Sequence, residues 1–187
     1  MINYEPKIKK ELNVFAQYLS AWGDIPSILT DIINKFNVSQ NTALEFGVEY
    51  GYSTSALANL FKKVIGVDTF KGDIHAGKKS DHFEQTKNDL KKWNNISLIK
   101  SDYKDFIVKC DEHFDLIHID IIHTYEDTFA CGDWALNHSN IVLFHDTESF
   151  PEIKKVCEDL AIKHNCEFYN YPNSNGLGIL VKNFKTM

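Results

Sequence analysis

Cysteine is sparse and unpatterned in this chain. Cys110, Cys131, Cys157 and Cys166 show no C-x-x-C spacing, which excludes a cysteine zinc cluster or a thioredoxin-like motif and leaves thiols expected to be reduced. No apolar run approaches membrane-spanning length, and Met1 leads straight into polar sequence. Neither a membrane span nor a secretory signal is expected, and the expected location is cytoplasmic. Positive charge is in deficit, with 20 Lys+Arg against 26 Asp+Glu and a net charge of −6; this argues against a nucleic-acid surface. The pairs Lys9–Lys10, Lys62–Lys63, Lys91–Lys92 and Lys154–Lys155 fall on helical patterns or their ends and read as solvated faces. Internal repeats, linkers and low-complexity segments are missing too. With 187 residues, the chain suits one domain with a sizeable core.

What is present is organised around Ala43–Asp68. Thr42–Phe46 is a short apolar run ending at Gly47. Ser53 opens a helical pattern with Leu57, Leu60 and Phe61 on one face and Lys62–Lys63 in its last turn, and Val64–Val67 is a second apolar run that stops at Asp68. Strand, glycine turn, helix and strand imply a right-handed βαβ unit in a parallel sheet. Such sheets bind ligands beyond the carboxyl ends of their strands, where Glu45, Gly47, Gly51, Ser53 and Asp68 fall. The loop reads E-x-G-x-x-x-G, not the dinucleotide G-x-G-x-x-G. Glu45 and Glu49 beside the turn would repel a pyrophosphate and suit a ligand with an ammonium and a sulfonium. Asp68 can accept hydrogen bonds from two ribose hydroxyls. A nucleoside with a cationic tail fits this pattern, namely S-adenosylmethionine.

Two N-terminal helices are expected, together forming a segment 1–40 that covers the site within the same domain. The first spans Pro6–Ser20, with Ile8, Leu12, Phe15 and Leu19 at helical spacing; Trp22–Gly23 breaks it. The second starts at Asp24 as N-cap with Pro26 in its first turn. Residues 41–187 then form the ligand-binding domain. Strands are expected at Ile96–Lys100, Phe114–Ile119 and Ile141–Phe144, helices at Asp81–Trp93, Tyr103–Cys110, Thr124–Leu136 and Phe150–His164, and a final strand pair at Cys166–Tyr171 and Gly178–Val181. This alternation predicts a doubly wound, Rossmann-like α/β sheet with helices on both faces. Its strand ends carry Asp102, Asp120 and Asp146, each of which can serve as the N-cap of the following helix.

The segment D-L-I-H-I-D-I-I-H-T-Y-E with I-V-L-F-H-D-T places Asp120, His123, His145 and Asp146 just past neighbouring strands. Adjacent strands lie about 4.8 Å apart, so carboxylates and imidazole can converge. Methyl transfer to oxygen needs a deprotonated nucleophile. A divalent cation held by Asp120, Asp146 and His145 can lower the acceptor's pKa, or His123 can act as general base. Carboxylates favour Mg²⁺ or Mn²⁺, and an added imidazole shifts the preference toward Mn²⁺, Fe²⁺ or Zn²⁺. His118 lies within a strand and reads as a satisfied core residue.

Taken together, E-F-G-V-E-Y-G-Y-S-T, V-D-T-F-K-G-D-I-H-A-G, H-I-D-I-I-H-T-Y-E and L-F-H-D-T resemble the class I S-adenosylmethionine-dependent methyltransferases. The likeness is to the small-molecule and sugar O-methyltransferase-like group associated with glycan biosynthesis, and covers about residues 40 to 182. It implies a seven-stranded, mostly parallel sheet with the last strand antiparallel. It also implies a cofactor site at Glu45, Gly47, Gly51 and Asp68, with Asp102 near the adenine. Asp120 is counted on both the cofactor and acceptor sides, and metal-dependent relatives place a cation on acids matching Asp120 and Asp146. The chain departs from the family where Ile121 replaces a glycine, where Asn137–Asn140 replaces a Gly-Gly turn, and at His145.

The function expected is O-methylation of a small molecule or saccharide. The alternatives are a non-catalytic S-adenosylmethionine-binding regulatory protein and an N- or protein methyltransferase, though no D/N-P-P-Y/F motif is present. A nicotinamide oxidoreductase is a further alternative. A homo-oligomer is compatible with the sequence. The loop Thr69–Ser80, with Phe70, Gly72, Asp73, His75 and Gly77, is expected to act as a lid.

Overall fold

The computed structural model describes residues 1–72, 77 and 80–182. In chain order its elements are β1 (Ile2–Asn3), α1 (Ile25–Lys35), β2 (Thr42–Phe46), α2 (Tyr52–Ala58), β3 (Lys63–Asp68), α3 (Phe83–Asp89), β4 (Ile96–Lys100), α4 (Tyr103–Ile107), β5 (Leu116–Ile119), α5 (Tyr125–His138), β6 (Ile141–His145), α6 (Pro151–His164), β7 (Cys166–Tyr171) and β8 (Leu177–Lys182). Asp73 and His75 of the expected lid lie outside the described residues. Among the described residues, no helix is long and apolar enough to cross a membrane.

The strands form one sheet in the order β1-β7-β8-β6-β5-β2-β3-β4. All pairings are parallel except those of β8, which runs antiparallel to β6 and β7. The expected seven-stranded body is present, and the two-residue β1 extends it beyond β7. Alternation along each strand feeds two cores. Ala43, Val64 and Leu116 face α1 and α2, together with Ile25, Ile28, Leu29, Ile32 and Leu57. Leu44, Phe46, Ile117 and Ile119 face α4, α5 and α6, together with Leu136, Val156 and Leu160. Full burial of such side chains contributes about 1.5–3 kcal/mol each, which is why short strands of four to six residues hold their register.

Chain order reverses between β2 and β5, leaving a crevice beyond their carboxyl ends. Phe46 pairs with Ile119, and Ile119 with Phe144. The next residues, Gly47, Asp120 and His145, are therefore brought side by side. Gly47 has φ +89°, and a Cβ there would lie 1.7 Å from the Asp120 carbonyl oxygen. Only glycine allows the first turn to pass so close to β5.

The expected helix over Pro6–Ser20 does not form. Its backbone donors are claimed elsewhere: the N–H groups of Lys7 and Ile8 go to the Asp31 carboxylate at 3.1 and 2.9 Å. Lys10 N–H goes to the Ser27 carbonyl at 2.7 Å, and Phe15 N–H to Ser55 Oγ at 2.8 Å. Tertiary partners override the helical period here. Residues 1–40 thus contribute one helix, α1, preceded by an extended strap. Asp24 stands at the start of α1 but makes no capping hydrogen bond. Helix α2 stops at Ala58, so Lys62–Lys63 are not its last turn; Lys63 opens β3.

Candidate functional site

A cavity of about 600 Å³ opens over the ends of β2, β3, β5 and β6. Its roof is the strap: Phe15, Tyr18, Leu19 and Trp22 all line it. Tyr18 packs on Tyr50 of the glycine turn with ring centroids 4.2 Å apart.

One end is built from the turn after β2. Gly47, Glu49, Ser53, Asp68 and Asp102 line it. Asp68 Oδ2 accepts the N–H groups of Val48 and Glu49, both at 2.8 Å, and its Oδ1 accepts Phe70 N–H at 2.7 Å. The acid at the end of β3 therefore shapes the turn while facing the cavity. Asp102 accepts Lys104 N–H at 2.8 Å and caps α4, so it is a helix cap that also borders the cavity. Gly51 does not line the cavity. It has φ +84° at the start of α2, where a Cβ would meet Leu90 at 2.4 Å; its role is to let the turn close against α3.

Glu45 does not reach the ligand space. It is fully buried, its carboxylate accepts the Thr54 hydroxyl, and it lies 3.0 Å from His118 Nδ1. The expectation of a Glu45 carboxylate facing a cationic ligand is corrected accordingly: two-residue alternation turns it under α2. His118, directly opposite in the ladder, is the buried core residue expected, but it is only half satisfied: Nδ1 meets Glu45, and Nε2 has no hydrogen-bond partner among the described residues.

The other end gathers Asp120, His123, His145 and Asp146. His123 Nε2 lies 2.8 Å from Asp146 Oδ2 and 3.5 Å from Asp120 Oδ1. His145 Nδ1 lies 3.2 Å from Asp120 Oδ2 and 3.5 Å from Asp146 Oδ1. Asp146 adopts φ +65°, a strained conformation typical of functional sites. Phe150 stacks on the His123 ring, centroids 4.1 Å apart and planes within 7°. Burial pushes His123 down, but its hydrogen bonds to Asp120 and Asp146 and their charges outweigh this and raise it to about 9. Burial likewise opposes protonation of His145, and the Asp120 charge and hydrogen bond overcome it. Asp120 is pushed up by burial, yet the His145 charge and the two imidazole hydrogen bonds hold it well below the usual carboxylate range.

This donor set suits a cation. Ligand atoms of Asp120, His123 and Asp146 lie within 4.8 Å of one another. His145 Nδ1 and Asp146 Oδ1 are buried within ion-pair distance in poorly directed contact, a costly arrangement unless something bridges them. The strap residues and Phe150 were not legible as site residues. Phe15 and Leu19 carried only an apolar spacing, and Trp22 only a helix break.

A methyltransferase-domain family model matches residues 44–147, more than half the chain. A search among curated proteins returns no match. Among solved structures, the chain is similar to the O-methyltransferase TomG of Streptomyces achromogenes, in complex with SAM and involved in tomaymycin synthesis. The TM-score is 0.64 at 14% identity, covering 95% of this chain and 93% of that one. It is similar to the SAH-bound methyltransferase PaMTH1 of Podospora anserina, with TM-score 0.64, 13% identity, and 86% and 78% covered. It is also similar to an O-methyltransferase from Bacillus cereus in complex with SAH, with TM-score 0.61, 16% identity, and 89% and 84% covered. At these identities the structures speak for the fold. The family match falls on the glycine turn, the acid at the end of β3 and the Asp120–Asp146 cluster, and with it the chain belongs to the class I S-adenosylmethionine-dependent methyltransferases.

Proposed function

We propose that this methyltransferase transfers the methyl group of S-adenosylmethionine to a hydroxyl oxygen of a small molecule or a saccharide, such as a glycan precursor. The observation that carries the reading is the convergence of Asp120, His123, His145 and Asp146 just past the ends of β5 and β6, where Asp120 borders the glycine turn. Cofactor loading would use the turn at Gly47, with Ser53, Asp68 and Asp102 along the nucleoside and Asp120 between the two ends. A cavity of about 600 Å³ suits a small ligand rather than a macromolecular surface.

In the transfer, an oxygen lone pair attacks the methyl carbon, the carbon–sulfur bond breaks, and its electron pair returns to sulfur as S-adenosylhomocysteine. The hydroxyl proton must leave. His123 is the general base in reach of the cluster, but at about 9 it is already protonated at neutral pH in the ion-free protein. A divalent ion such as Mg²⁺ or Mn²⁺, held by Asp120, Asp146 and His145, with His123 kept as the base, would lower the acceptor's pKa and offset the two carboxylates. With those charges offset, His123 would lose its proton to solvent and could then take the acceptor's. The strap and Phe150 line the cavity and would exclude water from a bound sulfonium.

Calorimetry with S-adenosylhomocysteine tests the cofactor half, and its release from S-adenosylmethionine over a panel of hydroxyl-bearing acceptors tests the chemistry. NAD binding without adenosyl binding would overturn the reading. Turnover that survives chelator but is lost in His123→Ala would remove the ion and leave the histidine base.

A further inference from the structure

We infer that Asp24 and Ser174 are positioning residues that dictate which nitrogen of His145 faces the carboxylates of the site. The inference rests on the reading of Asp120, His123, His145 and Asp146 as the reacting end of the cavity. His145 Nε2 lies 3.1 Å from the Ser174 carbonyl oxygen. A carbonyl has no proton to give, so Nε2 must carry one. Nδ1 is thereby committed to Asp120 Oδ2 at 3.2 Å and Asp146 Oδ1 at 3.5 Å. The placing of one backbone carbonyl decides what His145 can offer a proton or a cation, as outer hydrogen bonds do for ligating histidines generally.

That carbonyl sits on a turn that needs outside support. Ser174, Asn175 and Gly176 all have positive φ, at 53°, 65° and 92°, and such a run persists only when its surroundings over-determine it. One support is the loop after β6: Glu148 and Ser149 N–H groups donate to the Asn175 carbonyl at 2.8 and 3.2 Å. The other is the end of the N-terminal strap. Ser174 Oγ donates to Asp24 Oδ1 at 2.6 Å and accepts Asp24 N–H at 3.0 Å. Gly23 permits this approach, because a Cβ there would lie 2.5 Å from Ser174 Oγ. The second oxygen of Asp24 accepts the Tyr171 hydroxyl at 2.5 Å and pairs with Lys9 at 3.3 Å. Neither Asp24 nor Ser174 lines the cavity, so their influence passes through His145. This also explains why Asp24, well placed as a helix cap, leaves α1 uncapped.

The test uses the full chain and needs no acceptor. A buried Nε2–H held on a carbonyl gives a slowly exchanging ring N–H signal in ¹H–¹⁵N spectra, and its loss in His145→Gln assigns it. Asp24→Ala and Ser174→Ala are expected to remove or broaden that signal and to weaken Mn²⁺ binding, read by electron paramagnetic resonance, by about 10–100-fold. The dissociation constant for S-adenosylhomocysteine is expected to stay within about twofold, since the glycine turn is untouched. Asp24→Asn, which can still accept from Ser174 Oγ, is expected to keep the signal. An unchanged His145 signal in folded Asp24→Ala and Ser174→Ala overturns the inference. Parallel loss of S-adenosylhomocysteine binding also overturns it, because the pair would then be merely structural. If the unsubstituted protein binds neither Mn²⁺ nor S-adenosylhomocysteine, the proposed function fails, and the ring signal still decides the positioning role.

Discussion

Glu45 and His118 meet on adjacent strands β2 and β5; Asp120 and His145 meet on β5 and β6, two residues further along β5. Both pairs are a carboxylate beside an imidazole nitrogen, at 3.0 and 3.2 Å, and Trp22 packs near both histidines. The first pair is sealed. Both side chains are wholly buried, and Thr54 satisfies the far carboxylate oxygen. The second opens on the cavity and has more acid than it can satisfy, with Asp146 and His123 crowding the same point. A shift of one strand repeat past the last ladder pair converts a core contact into a reactive one. The chemistry is similar; the position relative to the end of the sheet decides its use.

The largest effect is expected where the two regions share backbone. Gly47→Ala would drive a Cβ into the Asp120 carbonyl and is expected to cost on the order of 4 kcal/mol or more, read as loss of cooperative thermal unfolding. His123→Ala, on the reactive side, is expected to lower turnover by about 10²–10⁴-fold while leaving the thermal midpoint close to that of the parent. Glu45→Ala, on the sealed side, is expected to do the reverse. It leaves His118 Nδ1 without a partner in the core at about 1–3 kcal/mol, lowers the midpoint, and leaves S-adenosylhomocysteine affinity of the folded fraction intact. Direct weakening of that affinity by Glu45→Ala in the folded protein would erase the distinction between the pairs. Asp68→Ala is expected to reduce S-adenosylhomocysteine affinity about tenfold, through ribose hydrogen bonds of about 0.5–1.5 kcal/mol each and a loosened turn. The smallest effect is on stability against pH, measured in chelator. His123 is raised in the folded state, so its contribution is complete below about pH 6.5 and lost as pH rises through about 9. Asp120 is depressed, so its contribution is present above about pH 3.9 and lost on acidification. Thermal midpoints should therefore fall gently on both sides.

Much of the sheet was legible because its signals are local. The ranges of β2, β4 and β7 follow directly from apolar runs bounded by glycine, acid or turn residues, whereas α5 is capped by Thr124 through the Asp127 N–H and not by Asp120, the candidate cap. The acidic strand ends were equally readable, since a residue just past a buried strand has nowhere to go but the crevice. Side-chain direction at Glu45 was less so: the E-x-G spacing places the residue beside the turn, but strand alternation sends its carboxylate under α2. The strap was misread because Ile8, Leu12, Phe15 and Leu19 have a helix's spacing, while the acceptors for their segment's N–H groups, on Asp31, Ser27 and Ser55, lie far off in sequence.

By itself, then, the sequence determined the alternation of strands and helices, the glycine turn after β2 and the row of acids at the strand ends. Each of these depends on neighbours a few residues away: hydrophobic period, glycine at positive φ, and acid beside apolar run. Only the tertiary structure decided that residues 15–22 cover the cavity as an extended strap and not as a helix, that Glu45 belongs to the core, and that Asp24 serves Ser174 rather than its own helix. Those outcomes turn on hydrogen-bond competition between groups up to 150 residues apart, where a distant acceptor in the right place outweighs the local preference of the chain.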